Sequence, residues 1–291
     1  MSGTALDRQA LDKHPLPPVV DGDKETKGRV LVLAGSREVP GAALLCATAA
    51  MRAGAGKLRI ATVESAAMAL GTTMPEAMVI GLPQADDGGF ASGAVERVEE
   101  LAGDVDAVVA GPGVKRSDVC KRLADVLLES KAALALDVAL LETLEPLHER
   151  ELQRVSTPIL LPNAKELASL LDCEPEHVDD DPIGCGVRAA QLYCSIVLVK
   201  GVTSHVVTPK GECWTYHGGA PGLGVSGSGD ILAGIVGGLL ARGAEPLNAL
   251  LWAVWLHGEA GAALARKVGP VGFLARELPA QLPRILAWLD R

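Results

Sequence analysis

The sequence predicts an α/β fold, a three-layer α/β/α sandwich around a mostly parallel central sheet. Three observations carry this. Short runs rich in Val, Ile, Leu and Ala recur along the chain, and most are apolar throughout instead of alternating, the pattern of strands covered on both faces. Longer helical stretches separate them, as right-handed βαβ crossovers require. Glycines and polar groups collect just after the apolar runs, at one edge of the expected sheet, where open parallel sheets bind ligands.

Residues 1–26 are polar, Pro-containing and aperiodic and read as an N-terminal extension with room for a short helix. The domain proper is assigned to 27–291, with no linker dividing it. RVLVLAG (29–35), KLRIATV (57–63), AMVIGL (77–82), DAVVAG (106–111), ALALDV (133–138), PILLPN (158–163) and SIVLVKG (195–201) read as strands. Helices are expected near 41–54, 64–71, 91–102, 116–130, 164–172 and 183–193. The pattern then changes. Residues 204–218 read as a hairpin turned at Pro209-Lys210-Gly211. A Gly-rich turn and three helices, about 228–242, 246–267 and 273–290, complete the chain, with Pro246 suited to a first helical turn.

Composition narrows the function. Of 291 residues 48% are hydrophobic and 22% charged, which excludes disorder as the main state. With 27 Lys plus Arg against 36 Asp plus Glu the net charge is −9, so no broad basic face is available for nucleic acid. Aromatics are 3%, too few for a base-stacking platform. The six cysteines include no C-x-x-C pair and suit reduced thiols in a cytoplasmic protein. No signal core is seen, and the longest uncharged apolar run, 231–241, is too short to span a bilayer, so no membrane role is expected. A small anionic ligand remains open, because backbone amides bind phosphate without net positive charge.

The strongest local signal is GVSGSGD followed by a long apolar helix. Gly227, Ser228 and Gly229 would present amides at a helix N-terminus as an anion hole, with Asp230 in the first turn as a base for a hydroxyl held against a phosphate. Gly222, Gly224 and Gly227 fit G-x-G-x-x-G, but a dinucleotide fingerprint needs a following strand and this turn is followed by helices. GAGKL (54–58) lacks the rest of a Walker loop and leads into a strand. Asn163 and Glu166 form N-x-x-E at a strand-to-helix turn; Glu166 either orients water on Mg²⁺ or completes a capping box with Asn163. Lys200 ends a strand and either reaches a phosphate or is a solvated strand end. Asp137 is either a ligand-side group or a loop cap. His14, His148 and His177 read as solvated, and His205, His217 and His257 as structural.

The segments GSREVPGAALLCATAAMRAGAGKLRIAT, MPEAMVI, DAVVAGPG, LDVALL, LPNAKE, VLVKG and PGLGVSGSGDILAGIVGGLLARG together resemble the ADP/ATP-dependent NAD(P)H-hydrate dehydratases of the ribokinase-like superfamily. The resemblance implies dehydration of NADH hydrate or NADPH hydrate at the expense of ADP, or ATP, with Mg²⁺. It places Asp230 as the base that contacts the hydrate, Ala42, Gly113 and Asn163 at hydrate-binding positions, and Lys200, Gly201, Val202, Thr203, Ser204 and Gly229 at nucleotide-binding positions. It also implies a homo-oligomer. The chain departs from the family pattern at Asn163, where His is usual. An alcohol kinase of the same fold and a non-catalytic nucleotide sensor would share most of these features.

Overall fold

A computed structural model describes residues 3–18, 23–24, 26–147 and 156–289. The elements are β1 (Thr4–Ala5), α1 (Arg8–Leu11), β2 (Arg29–Leu33), α2 (Gly41–Arg52), β3 (Lys57–Val63), α3 (Glu64–Thr73), β4 (Ala77–Leu82), α4 (Ala94–Ala102), β5 (Ala107–Ala110), α5 (Val119–Glu129) and β6 (Ala133–Leu136). They continue as β7 (Ile159–Leu160), α6 (Ala164–Leu171), α7 (Pro175–Asp180), α8 (Pro182–Leu192), β8 (Ile196–Val199), β9 (Ser204–Val207), β10 (Cys213–Tyr216), α9 (Ser228–Ala241), α10 (Pro246–Lys267) and α11 (Leu282–Leu289).

The ten strands form one sheet in the order β1-β10-β9-β8-β7-β6-β5-β2-β3-β4. β4 through β8 are parallel, and the hairpin β9–β10 continues the sheet antiparallel. The chain winds outward from β2 through β3 to β4, then returns beside β2 as β5 and winds the other way. The topological switch point therefore lies between β2 and β5, where a ligand crevice is expected beyond the strands' carboxyl ends. The Gly35 amide donates to the Pro112 carbonyl at 2.8 Å, tying together the two loops that leave the switch.

The expected strands and helices are present, with physical reasons for the differences. β7 is two residues long because Pro158 and Pro162 flank it and cannot donate to a ladder. The single helix expected over 273–290 is instead two 3-10 turns, Ala275–Glu277 and Pro279–Gln281, followed by α11. Pro279 has no N–H for a continuous helix. The short helix α7 lies in a polar stretch that carries no helical period.

Residues 3–18 pack on the rest of the fold. β1 pairs in parallel with β10, Asp7 Oδ1 caps α1 by accepting from the Ala10 amide at 2.9 Å, and Leu11 is fully buried. The sequence suggests a solvated His14. It is half-buried instead, edge-on to Trp214 at 5.3 Å, with Nδ1 3.1 Å from Asn248 Oδ1. His177 is exposed as expected, and His148 lies outside the described residues.

α9 is almost wholly buried between the sheet and α2. Such close approach needs helix faces without side chains. A Cβ on Gly234 would lie 2.1 Å from the Cys46 carbonyl oxygen, and one on Gly238 2.4 Å from that of Ala50. Gly234→Ala is expected to destabilise by about 1–3 kcal/mol, because a backbone atom cannot yield as a side-chain end can. This outweighs the ~1 kcal/mol helix-propensity gain of Ala over Gly. Urea unfolding checks it: an unchanged or raised midpoint would show that α2 and α9 can separate freely.

Candidate active site

α9 begins where the chain leaves a left-handed turn at Gly227, φ 87°. A Cβ there would meet the end of the Leu45 side chain, Cδ1, at 2.5 Å, which can shift, so it is the left-handed conformation that demands glycine. First-turn amides of a helix have no intrahelical acceptor. The Ser228 amide is nevertheless spent, donating to the Val225 carbonyl at 3.1 Å. Of the three expected anion-hole amides those of Gly227 and Gly229 remain, the Asp230 amide follows in the same first turn, and Ser228 can contribute through its hydroxyl. That hydroxyl lies 3.0 Å from His257 Nε2 on α10.

Asp230 is in the first turn of α9. Burial, and next the nearby negative Asp137, push its carboxyl up to about 6 against the pull of Lys200. Such a group is ionised at neutral pH yet can accept a proton, the balance a general base needs.

Lys200 follows β8 and turns into the protein. Its Nζ lies 2.7 Å from Asp137 Oδ1 and 3.8 Å from Glu166 Oε2. Burial works against the ammonium, but Asp137 and then Glu166 outweigh it, so its pKa stands above the ordinary lysine value. A Cβ on Gly229 would come 3.8 Å from Nζ, which places the ammonium beside the α9 turn. Lys200 is thus no solvated strand end. Asp137 is 1% exposed and is positioned by the Gly111 loop. Gly111 has φ 125°, and a Cβ there would fall 1.8 Å from the Asp137 carbonyl oxygen. Val138, just after Asp137, takes φ 47°, a strained conformation for a β-branched residue.

Asn163 and Glu166 form the full capping box of α6. The Glu166 amide donates to Asn163 Oδ1 at 3.0 Å, and the Asn163 amide to Glu166 Oε2 at 2.8 Å. The cap is real and does not exclude a second role. Asn163 is exposed, and its side-chain NH₂ remains to donate. Burial raises the Glu166 carboxyl above its ordinary value despite Lys200. Asn163→Ala is expected to cost about 1 kcal/mol through the lost cap. Asn163→Ser preserves a capping hydroxyl while removing the amide. Comparing urea midpoints and half-saturation for substrate in the two variants separates cap from ligand; equal losses of binding and stability in Ala, and neither in Ser, would leave Asn163 a cap alone.

Ala42 and Gly113 are brought together across the switch point. Gly113, φ 65°, would place a Cβ 2.5 Å from Ala42 Cβ and 3.0 Å from the Val39 carbonyl oxygen. Ala42 is 2% exposed and second in α2, a first-turn position whose amide has no intrahelical acceptor. Gly201, Val202 and Thr203 lie in the turn between β8 and β9, and Ser204 opens β9. Ser204 Oγ donates to the Gly201 carbonyl at 3.5 Å, Thr203 Oγ1 lies 3.4 Å from His217 Nδ1, and Val202 is fully exposed at the tip. The spacing-based reading missed His257 as a partner of the Gly-rich turn, since a lone His on an apolar helix carries no sequence signal.

Two cavities of about 660 and 430 Å³ lie at the opposite edge, where Gly28 and Asp106 precede β2 and β5 and where α2 and α9 end. They contain none of these groups. Among the described residues no cluster of three His, Cys, Asp or Glu is placed to hold a metal. No helix among them is long and apolar enough to cross a membrane. None of the six cysteines is in a disulfide.

The class is that of a doubly wound α/β protein with a Gly-rich helix start, a carboxyl and a largely buried lysine beyond the carboxyl ends of its strands, a setting suited to phosphate-bearing ligands. A family model described as NAD(P)H-hydrate dehydratase matches residues 30–284. An ADP-dependent (S)-NAD(P)H-hydrate dehydratase of Xanthomonas campestris pv. campestris is 41% identical over 283 residues, 97% of this chain and 96% of that protein. The bifunctional NAD(P)H-hydrate repair enzyme Nnr of Gloeobacter violaceus is 36% identical over 94% of this chain, which spans about half (52%) of its length. The crystal structure of the Bacillus subtilis ADP/ATP-dependent NAD(P)H-hydrate dehydratase co-crystallised with ATP/Mg²⁺ superposes with a TM-score of 0.87, at 26% identity and 99% coverage of each chain. The chain belongs to the NAD(P)H-hydrate dehydratase family.

Proposed function

We propose that this protein restores hydrated NADH or NADPH to the intact dinucleotide, using ADP as phosphoryl donor and releasing AMP and phosphate. The observation that carries the reading is Asp230, a half-buried carboxyl held at about 6 at the start of α9, beside the Lys200 ammonium and two first-turn amides. Hydroxide is a poor leaving group and phosphate a far better one. Asp230 takes the proton of the hydrate's hydroxyl as its oxygen attacks the terminal phosphorus of the nucleotide. The phosphorus–bridge oxygen bond breaks and AMP departs. The amides of Gly229 and Asp230 and the Lys200 ammonium stabilise charge on the transferred group. The carbon–oxygen bond then breaks with phosphate as leaving group, pushed by the lone pair of the adjacent ring nitrogen, and loss of a proton from the neighbouring ring carbon forms the double bond of the dihydronicotinamide.

Ala42, Gly113 and Asn163 line the hydrate side in this reading. Gly201, Thr203 and Ser204 hold the nucleotide, and the exposed Val202 covers its base. Asp137, Glu166 and Asp230 outnumber the one cation Lys200 among them, and phosphates add more negative charge. The residues therefore fit a divalent cation held mainly by phosphates and water, with Glu166 reaching it through water. Mg²⁺ so bound neutralises the nucleotide's phosphates. The catalytic unit is 27–291, with residues 3–18 docked on it; the reading also carries a cytoplasmic setting and a homo-oligomer.

The test mixes purified protein with NADH hydrate, Mg²⁺ and either ADP or ATP, and follows dihydronicotinamide absorbance together with phosphate release. Matched recovery and release with ADP is the expected result. A stable phosphoester with no recovery would make the protein a kinase, and neither product would refute catalysis of this kind.

A further inference from the structure

His257 is fixed in place by close packing of α10. A Cβ on Gly258 would come 2.1 Å from the Tyr216 hydroxyl, and one on Gly261 2.6 Å from Leu223 Cγ. The imidazole Nε2 lies 3.0 Å from Ser228 Oγ. Burial lowers the ring's pKa to about 4, outweighing a hydrogen bond with the Ser228 main chain, so the ring is neutral at pH 7. A neutral imidazole has one donor nitrogen and one acceptor.

The two tautomers have opposite consequences at the α9 turn. When Nε2 is the acceptor it takes the Ser228 hydroxyl proton, and the oxygen shows only lone pairs to an arriving phosphoryl group. When Nε2 carries the proton it donates to Ser228 Oγ, and the hydroxyl proton is released toward the phosphoryl oxygen. The Ser228 amide is already committed to Val225, so the hydroxyl is the one donor this residue can offer an anion.

We propose that His257 is a positioning residue for phosphoryl transfer: it donates Nε2–H to Ser228 Oγ and thereby turns the Ser228 hydroxyl into a donor to the transferred group. The inference rests on the phosphoryl-transfer reading above. It assigns His257 a role through Ser228 and no contact with the reacting atoms.

The experiment is a double-mutant cycle in the full chain, with Ser228→Ala, His257→Leu, the double variant, and His257→Gln, whose amide can still donate. Turnover is measured with NADH hydrate and ADP. Loss of one preorganised donor to a transferred charge costs about 10²–10³-fold in kcat. Ser228→Ala and His257→Leu are each expected to lose on that order in kcat with little change in KM for the hydrate. The double variant is expected to be no worse than the poorer single one, and His257→Gln to keep most of the rate. Additive losses, or Gln as poor as Leu at unchanged thermal stability, would overturn the proposal. ¹⁵N resonances of the ring in the wild-type protein supply a readout that needs neither turnover nor a foldable variant. A proton on Nε2 with ADP and Mg²⁺ bound is expected, and an unprotonated Nε2 in that state would refute the inference. A wild-type protein with no dehydratase activity would defeat the functional reading instead, and the ¹⁵N result would still decide the hydrogen bond.

Discussion

Asp230→Asn removes turnover and at the same time makes the protein more stable at neutral pH. The loss follows from the chemistry: the amide cannot accept the hydroxyl proton, and general-base catalysis contributes about 10²–10⁴-fold. Nucleotide binding is little changed, because the first-turn amides of α9 and the Lys200 ammonium remain. The gain in stability follows from linkage. The folded protein holds the Asp230 carboxyl at about 6 against an ordinary 3.8, chiefly through burial. Ionising it in the fold therefore costs free energy that the unfolded chain does not lose. The wild-type protein loses stability as pH rises from about 4 to about 6 and does not regain it above. At ~1.4 kcal/mol per unit, that shift amounts to about 1–3 kcal/mol after allowance for water reaching a half-buried group. Asn carries no such charge. Its unfolding midpoint should exceed the wild-type one at pH 8 and converge with it near pH 4. For the wild-type enzyme the same group sets the acid limb of kcat, with the rate rising through pH ~6 and level above it. An Asp230→Asn variant that turns over normally would show that Asp230 is not the base. One no more stable than wild type at pH 8 would show that its buried charge does not strain the fold.

Much of this was legible in the residues. Both-face apolar strands separated by helical stretches specify a parallel sheet, and the Gly-rich stretch before an apolar helix marks a helix N-terminus as the candidate anion-binding turn, whatever the rest of the chain does. What escaped the sequence depended on distant partners. Lys200 and Asp137 are 63 positions apart, so nothing local chooses between a solvated lysine and one 2.7 Å from a buried carboxylate. The His257 ring and Ser228 meet only because α10 folds back along α9. The Ser228 amide reads as an anion donor until its bond to Val225 is seen. At Asn163 the local signal was right as a cap, since a capping box is closed within four residues, whereas its outward NH₂ gains meaning only from what lies across the crevice. The N-terminal segment shows the same limit: its strand is two residues long and finds its partner more than 200 residues later, at Trp214 and Thr215.

Lys200→Met tests the charge balance that holds the site together. Asp137 is 1% exposed, and Lys200 is its salt-bridge partner at 2.7 Å. Removing one member of a buried pair leaves an uncompensated charge, which typically costs about 3–5 kcal/mol. Lys200 is 19% exposed, so water softens the pair and a loss at the lower end, about 3 kcal/mol, is expected. Losing the ammonium also removes the one pull that holds the Asp230 carboxyl down. The acid limb of the rate profile should therefore move to higher pH while its height falls, because a cation beside Gly229 no longer meets the transferred group. Adding Asp137→Asn to Lys200→Met should restore most of the stability, since the pair is then removed together and no buried charge is left alone. It should not restore the rate. Urea midpoints and pH–rate profiles of the two single variants and the double measure both effects. If the double variant recovers activity along with stability, Lys200 serves only as a counter-charge to Asp137. If it recovers stability alone, the same ammonium that neutralises Asp137 also acts on the phosphoryl group, and the buried carboxylate is what keeps it aimed there.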